Sequence, residues 1–160
     1  MKSERFEELP VWNAAIELAI RTYKLSADQA FLRRGSLRDQ IERAAVSVSN
    51  NIAEGFERGS TSDLLKFIYI ARGSSGEVRS MLFLMERLAA FSHLKFEISN
   101  LKSNAEEIAR QLRAWAKALQ ESPIKGQRFL TQKSQRFDKA RHDRDQMLKE
   151  LQEIQRAAQR

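Results

Sequence analysis

Residues 36–59 read SLRDQIERAAVSVSNNIAEGFERG, and two stripes along them decide the fold. Leu37, Ile41, Ala44, Val48 and Ile52 recur at helical spacing, which makes a helix with one apolar face turned to a core. Beside that face runs a polar line of Gln40, Arg43, Ser47, Asn51, Glu54 and Arg58. Val46 and Ala53 fall opposite the core stripe, where a lone surface helix carries charge. A helix with this layout has neighbours on several sides, and some of them are expected to be other copies of the chain. Arg43 and Glu54, about three turns apart on one face, are placed for salt bridges between helices.

Upstream, Pro10 suits a first helical turn, and Trp12, Ala15, Ile16, Ala19 and Tyr23 follow at helical spacing to an end near Leu25. Residues 26–35 read as a connection with a helical turn from Asp28 to Leu32, and Ser36 as the next N-cap. Downstream, Gly55 and Gly59 close the second helix, and Ser60 or Thr61 caps a third. Leu64, Phe67, Ile68, Ala71, Val78, Leu82, Met85 and Ala89 form its core stripe, widened by Ile70, Leu84 and Leu88. This helix is expected to reach about Phe91 and to be the most buried element. Its middle is Gly73-Ser74-Ser75-Gly76. Each helix-interior Gly costs about 1 kcal/mol relative to Ala, so two within one turn suggest close approach of another backbone. A phosphate-cradling loop would need a Lys-Ser/Thr pair and a preceding strand, and has neither.

In the fourth helix Ile98, Leu101, Ala105, Ile108, Leu112, Trp115 and Leu119 alternate by three and four, a heptad seam. Pro123 and Gly126 break it. A weaker heptad follows, with Phe137, Ala140, Met147, Leu151, Ile154 and Ala158, interrupted by Arg144. Its stripe is too thin to stand alone. The predicted fold is all-α: an up-down four-helix bundle over residues 1–122, with an additional basic C-terminal helix in residues 123–160.

Charge separates those two parts. The 160-residue chain has a net charge of +7, yet residues 123–160 hold 10 basic against 5 acidic residues. A nearly neutral body with a basic tail is the arrangement of a chain that meets a polyanion. Two clusters are candidate nucleic-acid contacts. The first is Arg33, Arg34 and Arg38; the second is Lys125, Arg128, Lys133, Arg136, Lys139, Arg141 and Arg144, with Phe129 and Phe137 interleaved. The competing reading packs the phenylalanines and solvates the arginines. The chain has no Cys and only two His, His93 and His142, so thiolate chemistry is excluded and no metal, cofactor or enzymatic activity is expected. His93 reads as a surface residue in a turn. No stretch approaches about 18 uninterrupted apolar residues, and residues 1–8 lack a signal-peptide pattern, so no membrane partner and a cytoplasmic location are expected.

The run Gln40-x-x-Arg43-Ala44-Ala45-Val46-Ser47-Val48-x-x-Asn51-Ile52-Ala53-Glu54-Gly55 carries a resemblance, with Arg58, Phe67, Ala71, Gly73-Ser74 and Glu77 after it. Leu9-x-Val11-Trp12-x-x-Ala15 and Tyr23 precede it in the same pattern. It resembles the four-helix-bundle family of 23S-rRNA-intervening-sequence proteins over about residues 5–120. The resemblance implies a small bundle assembled as a homopentamer. A related bundle is the accessory variability protein of diversity-generating retroelements, which binds a reverse transcriptase and nucleic acid. Carried onto this chain, the recurrent polar positions are Gln40, Arg43, Ser47, Asn51, Glu54, Arg58, Ser74 and Glu77. With Gly73 at its close contact, they imply an interhelix or intersubunit network. The expected function is that of a non-enzymatic oligomeric accessory protein binding RNA or single-stranded DNA and assisting a reverse transcriptase. The alternative is a protein-protein scaffold with no nucleic-acid role.

Overall fold

The computed structural model of the chain describes residues 5–122 together with Asp143, Arg144, Gln146 and Met147. It divides into two units, Met1–Gly126 and Gln127–Arg160. Four helices build the first: α1 (Pro10–Ser26), α2 (Gly35–Glu57), α3 (Thr61–Arg87) and α4 (Lys95–Glu121). No strand occurs among the described residues, so the protein is an all-α bundle. Each helix packs on the next, and α4 returns to α1. α2 and α3 run antiparallel, since Gly55 lies against Leu64 and Phe67 while Ser47 meets Ser74. α3 and α4 do too, with Gln120 bonded to Tyr69 at one end and Lys102 to Glu86 nearer the other.

In α2, α3 and α4 the core follows the sequence stripes closely, whereas in α1 only Ala15 and Ala19 of the expected stripe are buried and Trp12 and Ile16 are half-buried. Ile41, Val48 and Ile52 of α2, Ile68, Ala71, Val78, Leu82 and Met85 of α3, and Ile98, Leu101, Ala105 and Leu112 of α4 are fully buried. In α4 the seam steps from Leu112 to Ala116, leaving Trp115 half-buried at the edge. In α1 the inward line is Val11, Ala15, Leu18, Thr22 and Leu25, and Tyr23 is half exposed instead of joining the core. Pro10 does open α1, and Ser60 does cap α3: its hydroxyl accepts from Asp63 N–H at 3.0 Å.

Two expectations about ends are corrected. α2 begins at Gly35, with Arg34 rather than Ser36 at the cap position, because the Arg34 guanidinium is anchored on the Ala30 carbonyl and over the Phe91 ring. α3 stops at Arg87 and never reaches Phe91. Leu88 turns to an extended conformation and a 3-10 segment, Ala89–Leu94, follows, which swings Phe91 inward to 1% exposure against Phe31. Ala89 is left exposed. Nor is α3 the most buried element. Seven of the 17 residues of α1 are buried against nine of 27 in α3, whose outer side exposes Tyr69, Ile70, Phe83 and Leu84.

The glycines also differ from expectation. An added Cβ at Gly73 or Gly76 would meet nothing within 4 Å, so among the described residues no neighbouring element packs closely on them. The close approach is at Gly55, where a Cβ would stand 2.7 Å from the Phe67 Cβ. Gly59 joins α2 to α3 with φ of 70°, the single left-handed residue among those described.

Candidate functional site

The polar line of α2 becomes one wall of a groove. α2 contributes Gln40, Arg43, Ser47, Asn50, Asn51 and Glu54, α3 contributes Glu77, Ser80 and Met81, and α1 contributes Tyr23. The groove is open and encloses about 890 Å³. Ala44 and Val46 line it as well, and Val46, read from the sequence as pointing away from the core, is in fact partly buried against that core.

A directed hydrogen-bond chain fixes its centre. The Asn51 amide donates to the Ser47 carbonyl at 2.7 Å and to Ser47 Oγ at 2.9 Å. Ser74 Oγ donates to the Ile70 carbonyl at 3.1 Å, which consumes its single proton. Ser47 Oγ must therefore donate across the helices to Ser74 Oγ, 2.9 Å away. One residue on, Ser75 Oγ donates to the Ala105 carbonyl at 2.7 Å and ties α3 to α4.

Charges follow a different plan from the one the spacing suggested. Glu54 pairs with Arg58 at 2.6 Å within α2, not across to another helix, and the Arg58 guanidinium lies 4.7 Å from the Phe67 ring centroid. Gln40, Arg43 and Glu77 line the groove with no side-chain partner among the described residues. The structure thus gathers Gln40, Arg43, Ser47, Asn51, Glu54 and Glu77 in one place, with Ser74 and Arg58 attached by single contacts. Gly73 stands apart. With Gly76, Tyr69, Arg72, Arg79 and Ala109 it lines a separate depression of about 410 Å³. Tyr23, Asn50, Ser80 and Met81 were missed as groove residues. Ser80 and Met81 follow Glu77 by three and four positions, a usable signal, whereas Tyr23 arrives only through tertiary packing.

The basic clusters fare differently. Arg34 is tied down as described, and Arg38 pairs with Glu42 at 3.2 Å. Arg33 is exposed. Lys125, Arg128, Lys133, Arg136, Lys139, Arg141 and His142 lie outside the described residues, while Arg144 is exposed on a helical segment. His93 sits at the surface and contacts the Asp28 carboxylate at 3.1 Å. The Ala30 N–H first, and His93 second, hold the Asp28 carboxyl below its ordinary value. Among the described residues no group of three or more His, Cys, Asp or Glu is arranged to hold a metal ion, and no helix is long and apolar enough to cross a membrane.

Comparison with curated proteins finds no match. Among solved structures, a protein of unknown function from the S23 ribosomal protein family of Bacteroides thetaiotaomicron superposes with a TM-score of 0.59 at 22% identity. The match covers 67% of this chain and 98% of that one, and at this identity it speaks to the fold alone. The family model described as 23S rRNA-intervening sequence protein matches residues 7–114, which hold all four helices up to the last two turns of α4 and every residue of the groove. The chain therefore belongs to the 23S rRNA-intervening sequence protein family.

Proposed function

We propose that the protein is a non-enzymatic, oligomeric accessory factor that binds RNA or single-stranded DNA through basic surfaces and serves a nucleic-acid-handling enzyme such as a reverse transcriptase. The observation that carries this reading is the charge surplus: residues 123–160 hold 10 basic against 5 acidic residues, in a chain whose family is named for an insertion in ribosomal RNA. Residues Lys125, Arg128, Lys133, Arg136, Lys139, Arg141 and Arg144 supply the main phosphate contacts in this proposal. The family resemblance adds a homopentamer whose subunits meet through α2 and α3.

The outer side of α3 supports the oligomer. Two glycines in mid-helix cost about 1 kcal/mol each relative to Ala, and no close contact among the described residues offsets that. Their open backbone lies between the exposed pairs Tyr69-Ile70 and Phe83-Leu84, so a neighbouring helix running along this side of α3 would meet both the bare backbone and exposed apolar side chains. Gln40, Arg43 and Glu77, without a side-chain partner among the described residues, would take polar partners from a neighbouring copy. That surface equally favours the second reading, a scaffold that binds protein alone.

Light-scattering mass, with and without a pool of RNA and single-stranded DNA at two salt concentrations, tests both readings. A pentamer that gains nucleic-acid mass and releases it as salt rises supports the accessory role, with the affinity falling by about one logarithmic slope unit per phosphate contacted. A pentamer indifferent to nucleic acid at either salt supports the scaffold.

A further inference from the structure

We infer that the bundle end formed by the two connectors, residues 27–34 and 88–94, is a second contact for an unpaired nucleic-acid strand, with Phe96 as the stacking surface and Arg33 and Lys95 as phosphate contacts. This rests on the nucleic-acid reading above.

Three observations lead to this end of the molecule. First, the connectors are joined: the His93 ring meets Asp28 at 3.1 Å, Phe31 and Phe91 pack edge to face at 4.9 Å, and Arg34 lies over Phe91. Arg33, two residues beyond Phe31, and Lys95, two beyond His93, are thereby brought to the same end of the bundle. Second, Phe96 is 80% exposed and Leu32 is 83% exposed, well above the other exposed large hydrophobics, which range from 42% to 62%. A lone exposed apolar residue is ordinary, but an aromatic ring standing clear next in sequence to Lys95, at the bundle end that also carries Arg33, is a more specific combination.

Third, the charges here are unbalanced by construction. Glu97 is occupied by Arg21 through two hydrogen bonds, Glu42 by Arg38 and Ser26, and Asp28 by His93 and the Ala30 N–H. Arg33 and Lys95 have no ion pair among the described residues, and Asp39 is the one exposed carboxylate left on the opening turns of α2. Neither cation is placed for helix stability. Lys95 is the first residue of α4 and Arg33 stands just ahead of α2, where a positive charge opposes the helix dipole. Positive charge therefore adds to the positive ends of two helices.

An unpaired strand matches this chemistry. Its base can lie on the Phe96 face while adjacent phosphates meet Arg33 and Lys95; a duplex keeps its base faces stacked and offers only phosphates. The test uses the full chain and a fluorescently labelled, unstructured RNA of roughly 12 nucleotides, read by anisotropy, with the matching duplex as control. Phe96→Ala should weaken single-strand binding by about 5- to 150-fold and leave duplex binding unchanged. Phe96→Tyr should retain affinity and Phe96→Leu should lose it, which separates stacking from greasy contact. Arg33→Glu with Lys95→Glu should lower the salt slope. Because these side chains stand clear of the core, unchanged helical circular dichroism is expected throughout.

Salt-dependent binding that all these variants share equally overturns the inference and leaves the nucleic-acid reading in place. Failure of the unaltered protein to bind any nucleic acid overturns both. Binding to phosphatidylglycerol vesicles that Phe96→Ala abolishes, with RNA binding untouched, would assign this end to a lipid surface and overturn the inference.

Discussion

Substituting Gly55 and the Gly73–Gly76 pair with alanine should have opposite signs. At Gly55 the new methyl would stand 2.7 Å from the Phe67 Cβ, an atom fixed to its backbone, so the two helices must separate. Gly55→Ala is predicted to lower stability by about 1–3 kcal/mol in urea unfolding. At Gly73 and Gly76 the methyl meets open space, and each Ala should raise the stability of the single chain by up to about 1 kcal/mol. Asp28 offers a test in pH. Its folded-state carboxyl lies below the ordinary value, so ionised Asp28 adds stability above the ordinary carboxylate range and loses that contribution as pH falls through the folded-state value. Asp28→Asn should therefore melt at a temperature that varies less than that of the unaltered protein between about pH 5 and about pH 2. The interior positions were legible residue by residue in α2, because Ile41, Val48 and Ile52 alternate with polar neighbours. Gly55 was read from the sequence as a helix end, but α2 runs through it to Glu57, and its role is not legible locally because the residue it must accommodate, Phe67, lies on the next helix.

Element boundaries turn on contacts that local sequence reports unevenly. Ser60 announces α3 because its hydroxyl can reach Asp63 N–H without help from the rest of the fold, and it also donates to the Asp63 carboxylate at 2.6 Å. Ser60→Ala is predicted to cost about 0.5–2 kcal/mol, measured by thermal unfolding. The end of α3 has no such local signal. Leu88, Ala89 and Ala90 are all compatible with continued helix, and the break at Arg87 follows from the burial of Phe91 against Phe31 on another connector. The start of α2 is displaced for the same reason, with Arg34 held by a ring that arrives from the far side of the sequence. Stripes are periodic and can be read from spacing; stops set by a distant aromatic cannot.

At the scale of the whole molecule the candidate groove was half legible. The α2 wall and Glu77 follow from helical spacing and the family pattern, while Tyr23 and the absence, among the described residues, of the interhelix bridges expected of Arg43 and Glu54 depend on how helices are disposed in space. If neighbouring copies cross α3 at its bare backbone, Gly73→Ala with Gly76→Ala should lower the light-scattering mass even as the isolated bundle becomes more stable. Charge reversal at Arg136, Lys139, Arg141 and Arg144 should abolish binding if the tail carries it, and unchanged affinity would remove the tail from the proposal. The joint at Gly59 has its own consequence for handedness. Its φ of 70° is the mirror image of what an L side chain prefers, and a D residue adopts it without strain. A chemically assembled protein with D-alanine at this position should therefore unfold at a higher temperature than the natural chain, whereas L-alanine should lower it. One stereocentre would then reverse the sign of a substitution whose composition is identical.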